Sequence, residues 1–161
     1  MVQPFGWHDP RVRLALADIY RLPLAGGEIQ QLTTDPADDF APAWSPDGAA
    51  LAFHSFRSGT RDIFVMQASG GEAQQVTSGS AQDRFPMWSP DGNRIAFQRS
   101  TPHQIYLIER HGRTGAWGTP RSIGKAAGSF AADWSVDGRS IFCVVDGTIR
   151  EVFPSCHVSS G

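Results

Sequence analysis

The chain has 161 residues, 40% hydrophobic and 19% charged, with a formal net charge of −2, enough for one ordinary domain with a real core. Lys+Arg 14 against Asp+Glu 16 lacks the basic excess that neutralising a nucleic-acid backbone requires, so no nucleic-acid partner is expected. No apolar run approaches the ~18 residues of a membrane span, so no membrane insertion is expected. Cys143 and Cys156 are too few for a disulfide framework or a cysteine-built metal site.

The opening MVQPFGWHDPRVRLALADIY lacks a continuous apolar signal segment with a small-residue cleavage site. Asp9-Pro10 suits a helix start, and residues 1–17 are left without an assigned structure. From residue 18 to residue 153 the chain repeats. Residues 18–35 carry DIYRLPL and GGEIQQLT, read as two strands. Residues 40–77 carry FAPAWSPDGAALAFHS, DIFVMQA and GGEAQQVT, read as four. Residues 84–124 repeat the set as RFPMWSPDGNRIAFQR, QIYLIER and GTPRSIG, the last after a longer hairpin. Residues 129–153 carry SFAADWSVDGRSIFCVV, two strands, and TIREVFP from Thr148, a candidate third. Residues 154–161 read as a flexible tail.

Trp44, Trp88 and Trp134 recur with a period of about 44 residues, a spacing that signals repeated structural units rather than a single active site. Each tryptophan ends a strand and opens a turn. In Ser-Pro-Asp-Gly the Ser accepts a local hydrogen bond, Pro presets φ, Asp tolerates the next position and Gly supplies φ > 0. Asp47, Gly48, Asp91, Gly92, Asp137 and Gly138 are therefore turn residues, and Val136 in place of Pro leaves the Asp-Gly geometry intact. After the turn, Leu51 and Phe53, Ile95 and Phe97, and Ile141 and Cys143 fall at matching alternate positions, which makes Cys143 a core residue.

The next strands align Ile19, Ile63, Ile105 and Ile149, followed by Tyr20, Phe64, Tyr106 and Arg150. Apolar residues on both faces imply a sheet sandwiched between neighbours. The expected fold is all-β: β-propeller blades of four antiparallel strands, about three blades' worth in this chain.

WSPDG, an apolar strand, DIF or DIY, then GGE and QQLT resemble the repeat of TolB-type propellers, and also the propeller domains of prolyl-oligopeptidase and dipeptidyl-peptidase enzymes. The resemblance covers roughly Asp18 to Val152. It implies a propeller that binds proteins or peptides without chemistry of its own, often in the bacterial periplasm. The alternative it implies is the gating propeller of a serine peptidase whose catalytic domain lies elsewhere. The sialidase Asp box places its Gly one position later, which sets a glycosidase aside.

Propellers close with four to eight blades, whereas this chain holds two full units and two partial ones. Inner strands at one end and outer strands at the other are complementary, so two copies are expected to pair head to tail as a six-bladed homodimer. A truncated piece of a longer protein is the alternative, and RLALADIY in place of a turn like RSGTRDIF favours it.

No GxSxG, HExxH or phosphate loop is present, so no catalytic residue, cofactor or metal site is expected. His8, His54, His103, His111 and His157 show no ligand-like spacing. The candidate binding residues at a channel mouth are Asp39 and Asp83, each on the loop leading into an innermost strand, with Ser129 third and Arg84 beside them. In a ring they would give an anionic channel mouth suited to a cation or basic peptide, against a plain capping role. Arg57, Arg61 and Arg84 supply opposite charge or solubility.

Overall fold

A buried strand needs alternate apolar residues, and from Ile19 onward that pattern recurs between Gly- and Pro-rich turns. The computed structural model describes residues 17–100, 103–112, 114–124, 131–145 and 148–152. The Asp9-Pro10 helix start, His8, Ser129, Cys156 and His157 lie outside the described residues.

The strands form four antiparallel sheets in chain order. In the first, β1 (Tyr20–Arg21) pairs with β2 (Gln30–Gln31). The second is a four-stranded meander of β3 (Asp39–Trp44), β4 (Ala50–Ser55), β5 (Asp62–Gln67) and β6 (Gln74–Gln75). The third repeats it with β7 (Gln82–Trp88), β8 (Arg94–Ser100), β9 (Gln104–Glu109) and β10 (Arg121–Gly124). The fourth holds β11 (Ala131–Trp134), β12 (Ile141–Val145) and β13 (Thr148–Val152). The first strands of successive sheets are neighbours, β3 against β7 and β7 against β11.

Because both faces of the second and third sheets are apolar, the core is a stack of separate layers between sheets. Ile19 and Leu32 of the first sheet meet Leu51, Phe53, Phe64 and Met66. Ala52 and Ile63, on the opposite face of β4 and β5, meet Trp88, Ile95, Phe97 and Ile108. Ala96, Ile105 and Leu107 then meet Trp134, Ile141 and Cys143. Small residues on one face, Ala52 and Ala96, receive large ones from the next sheet, which gives the interdigitation close packing requires. Cys143 is fully buried at the place of Phe53 and Phe97, as its alternation predicts.

The repeated turn is tighter than the sequence reading anticipates. Gly48 N–H donates to the Ser45 carbonyl, and Gly48, Gly92 and Gly138 sit at φ of 70°, 68° and 67°. Ser45 Oγ donates to Asp47 Oδ1 at 2.6 Å and accepts from Ala50 N at 2.9 Å, while Asp47 Oδ1 also accepts from Ala49 N. Ser89 with Asp91, and Ser135 with Asp137, repeat the network. Successive turns also touch: a Cβ on Gly92 would lie 3.8 Å from Pro46, and one on Gly138 would lie 3.5 Å from Pro90. Val136 is 96% exposed, with no further turn stacked on it among the described residues, so the proline there is dispensable.

The DIY/DIF and QQLT/QQVT blocks form a lock between the two outer strands. Thr33 Oγ1 accepts from Ile19 N at 2.9 Å and faces Asp18, which also accepts from Gln31. Thr77, Ile63, Asp62 and Gln75 reproduce it. In the third sheet Ser122 and Gln104 bond instead, at 2.9 Å.

The C-terminal sheet has three strands where two inner ones and a candidate third were expected, with β13 in register on β12 over five residue pairs. Three strands there and two in the first sheet exceed one four-stranded blade by a strand.

Candidate binding face at the inner strand ends

Each inner strand bulges and ends on its tryptophan, and the first two carry a carboxylate near their start, Asp39 in β3 and Asp83 in β7. The register shifts between Phe40 and Ala43, between Arg84 and Met87, and between Ala131 and Asp133. Ala41 and Phe85 sit at φ of 50° and 53° within the first two bulges, a conformation disfavoured for residues with a Cβ.

Asp39 and Asp83 are placed in strands β3 and β7 rather than on loops, and both are buried. Arg57 Nη2 donates to both Asp39 oxygens at 2.8 Å. Arg99 clasps Asp83 with two bonds, Nε to Oδ1 at 2.7 Å and Nη2 to Oδ2 at 2.8 Å. Each guanidinium also lies over aromatic rings: Arg57 over Phe53 and Phe64, Arg99 over Phe97 and Tyr106. The Asp83 carboxylate holds the Arg99 pKa above its ordinary value. The expected anionic mouth is therefore corrected, since both carboxylates are neutralised within their own sheets and withdrawn from solvent.

His54 is the functional candidate that sequence reading missed. It sits on β4 opposite Phe40, buried to 3% exposure. Its ring stacks on Phe40 at 5.6 Å and meets Phe85 edge-on at 5.5 Å. Nδ1 accepts from the Phe85 N–H at 3.4 Å. Burial, then the charges of Arg61 and Arg84, push its pKa down to about 4, so the imidazole is neutral at ordinary pH. Phe40 and Phe85 are 38% and 41% exposed, so this end presents two aromatic rings backed by a neutral imidazole. A signal was available: Gln98 occupies the equivalent place on β8 and is also buried, so both positions are polar inside an apolar strand.

Arg84 lies on β7, and its Nη2 donates to Gln82 Oε1 at 2.6 Å. Trp88 and Trp134 are structural: their indole N–H groups donate to the carbonyls of Ala43 and Met87 on the preceding inner strand, both at 3.2 Å. They are 8% and 7% exposed, whereas Trp44, which has β1 and β2 but no described inner strand before it, is 50% exposed. Among the described residues no three His, Cys, Asp or Glu side chains gather as a metal ion would require.

Four-stranded antiparallel meanders, packed face to face with their first strands adjacent, define the class: these are β-propeller blades. The chain belongs to the TolB beta propeller domain family, whose model matches residues 13–153. Among solved structures it is similar to TolB from Acinetobacter baumannii, at 22% identity and a TM-score of 0.68 over 82% of this chain and 33% of that one. It is similar to a putative TolB from Agrobacterium tumefaciens, at 23% identity and a TM-score of 0.56 over 65% of this chain and 40% of that one. A puromycin-hydrolyzing peptidase of Mycobacterium tuberculosis is also similar, at 17% identity and a TM-score of 0.67 over 84% of this chain and 24% of that one. The chain thus spans less than half the length of each. No curated protein matches it.

Proposed function

We propose that the chain is a noncatalytic propeller module that holds a protein or peptide segment against the face carrying Phe40, His54 and Phe85. The observation that carries this reading is the exposure of Phe40 and Phe85 on bulged inner strands, one of them at a positive φ. Aromatic rings left in water and held by strained backbone suit a binding surface better than a core. A peptide-display library panned on the immobilised chain is expected to yield binders that F40A and F85A each weaken about tenfold, a loss in the range of one aromatic anchor. Binders indifferent to both substitutions would refute the assignment of the face.

The likeness to the puromycin-hydrolyzing peptidase favours a second reading, the gating propeller of a serine peptidase. That reading requires a hydrolase domain that docks on this chain and gains size selectivity for peptides when it does.

The exposed Trp44, beside a two-stranded sheet, supports closure of the ring by a second copy of the chain, making six blades. Since the end sheets together hold five strands, β1 or β13 must yield its place in such a dimer.

A further inference from the structure

Four arginines, Arg57, Arg61, Arg84 and Arg99, gather at the inner-strand end of the second and third sheets. Arg57 and Arg99 are spoken for by Asp39 and Asp83. Among the described residues Arg61 and Arg84 have no carboxylate partner, and the Nε–H of each is buried with no hydrogen-bond acceptor. Buried donors are nearly always paired, so two orphans on neighbouring cations call for an explanation.

The pair is held close. Arg61 immediately precedes β5, and its carbonyl accepts from the Asp83 N–H at 2.7 Å, which brings it beside the start of β7 and Arg84. Its guanidinium lies over the Phe56 ring at 4.4 Å. Burial, and then the charge of Arg84, lower the Arg61 pKa. His54, in contact with the Phe40 and Phe85 rings and neutral at ordinary pH, offers no negative charge. Beside Arg84 opens a cavity of about 490 Å³ lined by Ser80, Ala81, Gln82, Arg84 and Ser100. It is a space for a side chain, with the Ser80 hydroxyl and the Arg84 guanidinium on its wall, while the Ser100 hydroxyl there donates to the Gln82 carbonyl at 3.2 Å.

We propose that Arg61 and Arg84, with Ser80, form a binding site for the carboxylates of an acidic peptide segment. A guanidinium presents a fork matched to a carboxylate, and the third sheet already uses that geometry internally between Arg99 and Asp83. Charge on the ligand relieves the repulsion between the two cations and pairs guanidinium groups that have no carboxylate among the described residues. This specifies the ligand class of the peptide-binding reading, on which it rests, and reverses the sign of the ligand expected from Asp39 and Asp83.

The test titrates hexaglutamate into the full chain at constant ionic strength, following the arginine Nε–H signals by NMR. Saturable binding that shifts the Arg61 and Arg84 signals is expected. R61Q and R84Q should each weaken it about tenfold, R61K and R84K less because charge remains without the fork, and hexaglutamine should bind at least about tenfold more weakly. R21Q, at an exposed arginine bonded to Gln30, should leave it unchanged. Unaltered affinity in R61Q and R84Q, or no saturable binding of hexaglutamate, would overturn the site. Display-selected peptides that need Phe40 and Phe85 but ignore both arginines would sink this inference and leave the peptide-binding reading standing. Hexaglutamate held by the arginines, with no peptide dependent on the two rings, would do the reverse.

Discussion

At the scale of single residues, the repeated Ser and Asp act as one unit. The hydroxyl donates a hydrogen bond to the carboxylate and accepts one from the N–H that closes the hairpin, so each Ser joins the two strands its turn connects. Ser89, fully buried, is the cleanest test: Ser89→Ala leaves the Arg94 N–H and Asp91 each short of a partner and should lower stability by about 1 kcal/mol in urea unfolding. Hydrogen bonds from Ser45 and Ser135 lower the pKa of Asp47 and Asp137; at Asp91 burial is the largest effect and raises it, but the hydrogen bonds from Ser89 and Asn93 and the charge of Arg94 together bring it below the ordinary value. A lowered carboxylate pKa adds stability that is present above the ordinary 3.8 and is lost as pH falls below it. His54 acts in a different window. Its folded pKa of about 4 lies below the ordinary 6.5, so between these values the unfolded chain binds the extra proton and stability drops as pH falls. His54→Gln, which installs the residue found at position 98, should flatten the urea-midpoint profile across that window. An unchanged profile would place the titrating group elsewhere.

At the scale of strands and sheets, the legible parts were those set by local chemistry. Turn residues, alternation and the Ile-aromatic pairs place the strands of each blade, and Cys143 falls in the core where alternation puts it. The ion pairs were not legible, because the partner arginine comes from the loop after β4 in one blade and from within β8 in the next. Arg57 and Arg99 reach equivalent points in space from unequal points in the repeat, so no alignment of repeats reveals them. The tryptophan ties were hidden for a related reason: each indole bonds to the preceding blade, a contact between units rather than within one. Trp88→Phe, which removes that N–H and part of a buried ring, should cost about 2 kcal/mol of unfolding free energy. Trp44→Phe, at a half-exposed ring, should cost close to nothing in the isolated chain, and an equal loss from both would show that the ties contribute no stability.

At the scale of the whole molecule, the layers between sheets make each blade depend on its neighbours, and an uncovered blade face leaves apolar surface in water. Trp44 marks such a face. The count of repeats was legible in the sequence. The extra strand β13 was only half legible, since TIREVFP carries a charged residue where its counterparts carry an aromatic one. Ring closure is the claim on which the binding face depends, because inner strands line a channel only when the ring is complete. Light scattering of the chain at micromolar concentration tests it most directly. The account predicts a mass of about 35 kDa, twice the 17.5 kDa of one chain, and a mass of one chain at every concentration would contradict it.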